Sequence, residues 1–331
     1  MKFSVVIPTY NRRPRIASAI ESALAQNTST IDVEVWVVDD ASTDGTVEWL
    51  RTVYKGRPVR ILANVGSKGP AGGRNSGLAA VQAAGQAEAV ALLDSDDVFL
   101  PNHLADAAAL LKRHPNVDVV FGRARYEQGG KEVPYMGPAF ERKLATAPVA
   151  QCISDATLFD SRFFEYLLEQ GCWFNLSSVV LRANAARERM VETLRVSEDY
   201  EFWVRLARNH RFACLHNPQI IYNLGADNVS FEADANVEGH SSQLLSALSR
   251  IASYPGLTAR QHGVVQAQMA SVLFDWGWRS SQAGHLRQAA RLHLRSLRLG
   301  LRRANMTALA KLLIPRQRSI SKITSKNKAV R

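Results

Sequence analysis

The residues of this chain that could do chemistry sit in short polar stretches placed after hydrophobic runs. Asp94-Ser95-Asp96-Asp97 follows the apolar run 89–93. Crowded carboxylates repel and raise one another's pKa, so the cluster is stable in charged form only where a cation or hydrogen-bond donors offset it. Oxygen donors suit a hard ion such as Mg²⁺ or Mn²⁺, which takes one or two carboxylates and completes its shell with substrate phosphates. A solvated turn or a helix cap accounts for the same residues equally well. Asp39-Asp40 closes a second apolar run and precedes Ser42, Asp44 and Gly45. A carboxylate there can accept from a nucleobase N–H or cap the next helix. In Gly69 to Gly77 small residues allow backbone to approach a ligand, and Arg74 can pair with phosphate oxygens. The stretch matches neither the dinucleotide fingerprint nor the P-loop. Ser197-Glu198-Asp199 opens a helical pattern: it reads as N-terminal cap chemistry, or as a carboxylate facing a cleft as a general base.

These stretches need elements to hold them. Residues 3–8 and 33–38 read as strands, the first a buried run of β-branched character, 59–62 as a short third strand, and 89–93 as an apolar strand. Helical spacing covers 15–25, 47–53, 78–84 and 104–111. Strands alternating with helices imply a parallel sheet covered on both faces, with polar residues clustered where such sheets bind ligands. Residues 117–121, 176–182 and 212–222 read as further strands, with a helix at 198–208 and helical pattern from about 240. Residues 125–175 read as irregular and partner-facing, with Trp173 a sugar-stacking candidate or, more simply, a core aromatic.

The 331 residues, 46% hydrophobic and 21% charged, describe a globular chain. Cys152, Cys172 and Cys214 lie far apart, which supports neither a disulfide framework nor a zinc site. Strand-like residues begin at Phe3, leaving no room for a signal segment, and no run approaches the ~18 apolar residues of a spanning helix. The expectation is a cytoplasmic protein. The net charge of +11 is uneven. Nothing acidic follows Asp275, while 14 of the 41 basic residues do; the rest carries 27 basic against 30 acidic residues. Leu286, Ala290, Leu294, Leu297 and Leu301 share one helical face, beside a stripe of Arg287, Arg291, Arg295, Arg298 and Arg302. A basic amphipathic helix suits an anionic membrane surface; a helical pair packed on the protein is the other reading. With no aromatic residue after Trp278, nucleic acid is not the expected partner.

Taken together, Pro8-Thr9-Tyr10-Asn11-Arg12, Val38 to Thr46, Gly73-Arg74-Asn75-Ser76-Gly77, Asp94-Ser95-Asp96-Asp97 and Glu198-Asp199 occur in the order of family 2 glycosyltransferases. The chain resembles the bacterial, inverting members over residues 2–230. The resemblance implies an α/β fold of GT-A type: a Rossmann-like, mostly parallel sheet flanked by helices, as a catalytic domain at 1–235, with a helical extension at 236–331. It implies a UDP-sugar donor, a saccharide or lipid-linked acceptor, and a divalent cation, Mn²⁺ or Mg²⁺, in a metal-dependent enzyme of cell-surface polysaccharide assembly, peripheral at the inner face of the membrane. Carried over residue by residue, Pro8, Thr9, Tyr10 and Asn11 line the nucleotide pocket, Asp40 reads uracil and Arg74 lies near the nucleotide. Asp94 and Asp96 hold the ribose and sugar-nucleotide end, Asp96 and Asp97 the metal. Asp199, ahead of Glu198, is the base. One departure stands out: where relatives carry Tyr-Arg-x-His, this chain has Tyr222-Asn223-Leu224-Gly225. Asp227 or His216 is then a replacement candidate for the histidine. A nucleotidyltransferase, or a degenerate relative that binds nucleotide without turnover, are the alternatives.

Overall fold

A computed structural model of the chain describes residues 1–13, 15–225, 237–300 and 306–310. Asp227, Leu301, Arg302 and the basic residues after 310 lie outside the described residues.

The first half alternates as expected: β1 (Lys2–Thr9), α1 (Ile16–Leu24), β2 (Asp32–Asp39), α2 (Thr46–Val53), β3 (Val59–Ala63), α3 (Pro70–Ala84) and β4 (Ala89–Leu92). Then come β5 (Val98–Phe99), α4 (His103–Arg113), β6 (Val119–Gln128), β7 (Lys131–Glu132), α5 (Gly137–Thr146), β8 (Val149–Cys152), β9 (Ala156–Phe159) and α6 (Phe163–Gln170). The remainder is β10 (Val180–Arg182), α7 (Glu198–Leu206), β11 (Phe212–Asn223), α8 (Val237–Ala252), α9 (Ala259–Gln282) and α10 (Leu286–Leu299). One sheet runs in the order β3-β2-β1-β4-β10-β6-β11-β9-β8. It is parallel from β3 to β4 and turns antiparallel at β10, while β6 and β11 run parallel to each other.

The apolar runs explain the parallel part. Phe3, Val5, Val6 and Ile7 of β1 are fully buried, so side chains on both faces leave water. On α1, Ile16, Ala19, Ile20, Ala23 and Leu24 form the face packed on that sheet. Helix α3 starts at Pro70, eight residues earlier than its alanine-rich half suggests, with proline in the first turn where its missing N–H costs nothing. The glycine stretch is therefore helix, not loop. A Cβ at Gly77 would overlap Val6 and come within 3.1 Å of Val38, so this glycine lets α3 lie against β1 and β2.

Residues 125–175 are ordered, not irregular. Gly129 and Gly130, with φ of +58° and +75°, turn β6 back as β7. Behind that hairpin Phe121 stacks on Phe174 at 4.0 Å and on Phe159 at 5.9 Å, and meets Trp173 edge-on at 5.4 Å. These elements are short, and the aromatic cluster that holds them joins residues distant in the chain, a contact that periodicity does not report. Trp173, buried within it, is a core residue. The 176–182 stretch divides into a 3₁₀ turn (Leu176–Ser178) and β10.

The chain forms two compact units, Met1–Gln268 and Met269–Arg331. Within the second, Ala289, Leu292, His293 and Ser296 of α10 are buried, and the Ser296 hydroxyl donates to the Ala270 carbonyl at 2.6 Å. The buried stripe thus does not run through Leu286 and Leu294. Those two leucines are exposed, by 44% and 51%, beside exposed Arg287, Arg291, Arg295 and Arg298. Among the described residues no helix is long and apolar enough to cross a membrane.

Candidate active site

The C-terminal ends of β1, β2 and β4 open on one rim of the sheet, the usual binding edge of open α/β folds. Two loops there are sewn together through backbone groups. The Asn11 N–H donates to Ser42 Oγ (2.9 Å), and the Thr43 N–H donates to Asn11 Oδ1 (2.8 Å). Asn11 and Ala41 hold φ of +52° and +64°, sparsely populated values for residues with a side chain. Pro8 packs toward Gly73, Thr9 is buried with its hydroxyl unpartnered, and Tyr10 lies exposed with the Lys68 ammonium 4.3 Å from its ring centroid. Asp40 accepts from Asn64 Nδ2 (2.7 Å) and from the Gly69 N–H (2.8 Å), so its carboxylate is aimed before any ligand arrives. Asn64 also accepts from Ser76 Oγ (2.8 Å). It is an orienting residue that sequence reasoning missed.

Arg74, only 5% exposed, joins two motifs that are far apart in the chain. Its guanidinium donates to Asp94 Oδ1 (2.6 Å) and to Glu198 Oε1 (3.0 Å). Burial alone would lower its pKa, but Asp94 and Glu198 outweigh that and hold it above the usual value. The arginine expected beside phosphate is thus bound by carboxylates, and it draws the N-terminus of α7 to the end of β4.

The acidic loop divides its labour. Asp97 is 1% exposed; its Oδ2 accepts from Ser177 Oγ (2.6 Å) and its Oδ1 from the Asn223 N–H (3.3 Å). Burial, then Asp94 and Asp96, push its carboxyl well above the ordinary range. Asp96 faces the more open side, 3.8 Å from the Arg12 guanidinium, and burial and Asp94 raise its pKa. The sequence pairs Asp96 and Asp97 as ion ligands; the structure makes Asp97 a buried anchor and leaves Asp96 with Asp94 at the rim. Ser177 further accepts from the Asp94 N–H (3.1 Å), and Asn223 Nδ2 donates to the Asp96 carbonyl (2.6 Å). The sequence marked Asn223 only as a departure from the family pattern and did not mark Ser177, because each acts across 80 or more positions. Among the described residues no three His, Cys, Asp or Glu side chains converge as a metal cage. The donors at the rim, carboxylate oxygens that repel one another, fit a hard cation that takes one or two of them and adds phosphate oxygens.

Ser197 opens α7 at φ +65° without a side-chain cap bond, contrary to the capping expected of it. Glu198 is buried against Arg74; burial and then Asp199 raise its carboxyl to about 7. Asp199 is more open, accepts from the Tyr200 N–H (2.7 Å), and has a carboxyl raised by burial. His216 does not reach this rim: its Nε2 pairs with Thr157 Oγ1 (2.9 Å). Six residues of β11 lie between it and Asn223, roughly 20 Å at strand rise.

Comparison with known proteins gives consistent results. A profile described as glycosyl transferase family 2 matches residues 4–169, half of the chain. The succinoglycan biosynthesis protein ExoO of Rhizobium meliloti (strain 1021) is 41% identical over 121 residues, 35% of this chain and 33% of that protein. The poly(ribitol-phosphate) beta-N-acetylglucosaminyltransferase TarS of Staphylococcus aureus (strain Mu50) is 40% identical over 117 residues, 34% of this chain and 19% of its own length. This chain thus spans a third or less of these relatives. Among solved structures, S. aureus TarS 1–349 in complex with UDP-GlcNAc superposes with a TM-score of 0.61 at 20% identity, covering 94% of this chain and 90% of that one. A mannosyltransferase from Pyrobaculum calidifontis, in complex with GDP-Man and Mn²⁺, gives 0.53 at 16% identity over 94% and 83%. At these identities the likeness establishes the fold, the mixed, helix-flanked sheet of GT-A type.

Proposed function

The chain belongs to glycosyl transferase family 2, and on that premise we propose that it is an inverting transferase that moves a sugar from a UDP-sugar to a saccharide or lipid-linked acceptor in polysaccharide assembly. The observation that supports the reading is Arg74 bridging Asp94 and Glu198, which brings the acidic loop after β4 and the Glu198-Asp199 start of α7 together. In this reading the Pro8-Thr9-Tyr10-Asn11 loop lines the nucleotide, Tyr10 offers its ring to the base, and Asp40 accepts from the uracil N3–H. Asp94 faces ribose. Asp96 holds the divalent cation, Mn²⁺ or Mg²⁺, and Asp97 fixes its loop from behind. Bound there, a cation neutralises charge on the diphosphate. Asp199 accepts the acceptor hydroxyl's proton as that oxygen attacks the anomeric carbon from the face opposite the leaving UDP. Glu198, tied to Arg74, keeps Asp199 in place. TarS and its UDP-GlcNAc complex make UDP-GlcNAc the first donor to try.

The test is a screen for UDP-sugar hydrolysis and transfer with Mn²⁺ or Mg²⁺ present, repeated with Asp199→Asn. UDP binding by the variant stays within about threefold of wild type while transfer falls roughly 10²–10⁴-fold, the contribution of a positioned base. Full transfer by the variant removes Asp199 from the role, and UDP binding without turnover of any donor favours the degenerate relative.

For the second unit we propose a peripheral contact with an anionic membrane surface at the cytoplasmic face. Support comes from the outward face of α10, where Leu286 and Leu294 stand among four exposed arginines. Cosedimentation with phosphatidylglycerol vesicles checks it: binding weakens with salt and is lost in the Arg287→Gln/Arg291→Gln/Arg295→Gln variant, whereas equal binding to phosphatidylcholine contradicts it.

A further inference from the structure

Three tyrosines gather at the end of β6 and β11, on the far side of the acidic loop from the Tyr10 loop in sheet order. Tyr126 and Tyr222 are paired across the two strands, their ring centroids 5.7 Å apart. Tyr135, just after β7, meets Tyr126 edge-on at 5.4 Å. Tyr126 is buried and locked: its hydroxyl donates to Asn175 Oδ1 (3.0 Å), and the Val133 N–H donates to its carbonyl (2.8 Å), which holds the segment carrying Tyr135. Tyr135 is 49% exposed, and Met136 beside it is exposed too.

This cluster is wired to the acidic loop. Asn223, the residue after Tyr222, bonds the Asp96 carbonyl and the Asp97 carboxylate. Asn175, which holds Tyr126, immediately precedes the 3₁₀ turn whose Ser177 bonds Asp97. Through Asn223 on one side, and Asn175 with Ser177 on the other, the tyrosines are tied to Asp97 of the acidic loop. An exposed ring on an immobilised base is a poor way to build a soluble surface and a good way to bind a flat, weakly polar face. A pyranose has such a face: its axial C–H bonds sit well over the electron-rich face of an aromatic ring while its hydroxyls reach a polar rim.

We infer that Tyr135, positioned by Tyr126 and flanked by Tyr222, is the stacking platform for a sugar ring of the acceptor. The inference rests on the transferase reading and adds to it where the acceptor chain lies: over the β6–β7 hairpin, with its reactive hydroxyl toward Asp199. Stacking needs the ring and not its hydroxyl, so Tyr135→Phe is a conservative control.

The experiment uses the full chain and two probes, methyl β-D-glucopyranoside and its N-acetylglucosamine counterpart, titrated by saturation-transfer NMR, with UDP titrated separately into the same samples. Expected are saturable millimolar binding of at least one glycoside, about tenfold weaker binding in Tyr135→Ala, near wild-type binding in Tyr135→Phe, and unchanged UDP affinity in all three. No saturable glycoside binding to wild type, or equal binding by Tyr135→Ala, overturns the platform. Loss of UDP binding in Tyr135→Ala also overturns it, since the residue would then act on the fold. Absent UDP binding in wild type is a separate result and strikes the donor reading instead.

Discussion

The two halves of the sheet are built on different principles. In the parallel half, β3 to β4, apolar strands end in polar loops that are sewn to each other through backbone N–H groups and short side chains: Asn11 to Ser42 and Thr43, Asp40 to Gly69. In the mixed half, β10 to β8, aromatic rings do the holding, and Phe121 alone touches five others. The first half presents fixed carboxylates with fixed partners, as suits a nucleotide shared across many enzymes. The second presents ring surfaces on a hairpin, tied to the acidic loop through Asn175, Ser177 and Asn223. Arg74 is the joint between them, since it grips Asp94 at the end of β4 and Glu198 on α7.

Removing that joint has the strongest consequence. Arg74→Met leaves two carboxylates at a largely buried site without their cation, at a cost of about 3–5 kcal/mol. Calorimetry should show Tm lower by roughly 10 °C, with transfer lost. A stable variant with retained transfer would mean the halves are independent. Next is the aromatic half by itself. Trp173→Ala opens a cavity costing about 3–5 kcal/mol in denaturant unfolding, while saccharide binding at the hairpin persists if folding is rescued at low temperature. Binding lost in the folded variant would return Trp173 to the site. In the parallel half, Gly77→Ala forces α3 off Val6 and Val38 and destabilises by about 1–3 kcal/mol, with UDP affinity measured alongside to show whether Arg74 shifts. The smallest effect is on pH dependence. Burial raises the Asp199 carboxyl, so the neutral form persists to higher pH than for an ordinary aspartate. Transfer, which needs the ionised form, rises with pH through that raised value and falls below it. A rate flat down to about pH 4, near the reference aspartate value, would contradict this.

What the sequence disclosed follows the same division. Strands β1, β2 and β4 were legible because burial on both faces writes a continuous apolar run, and the carboxylates after β2 and β4 are conspicuous against it. The meeting of Asp94 with Glu198 was not legible, because it runs through Arg74, whose salt bridge to Glu198 spans 124 positions and leaves no local pattern. The same holds for Ser177 and Asn223, polar residues of ordinary type whose importance lies in what they face. Asn223 stood out only as a departure from the family's arginine, and the structure gives it work of its own on the Asp96–Asp97 backbone. Residues 125–175 misled for a physical reason: their elements are short, and ring-on-ring packing, which has no period, stabilises them. In α10 the sequence left a membrane-facing helix and a packed helical pair both open, and helical spacing alone could not choose which apolar stripe is buried. The small residues Ala289 and Ser296 fit close packing, and so Leu286 and Leu294 remain outside.

The central claim is that Asp96, held at the rim while Asp97 is buried behind it, gathers the cation and diphosphate of a UDP-sugar. Calorimetric titration of UDP with and without Mn²⁺, into wild type and Asp96→Asn, addresses it most directly. The account predicts that Mn²⁺ strengthens UDP binding to wild type at least about tenfold, a gain of roughly 1.4 kcal/mol, and that Asp96→Asn abolishes this gain while leaving metal-free affinity near wild type. Equal enhancement by Mn²⁺ in both proteins would contradict it.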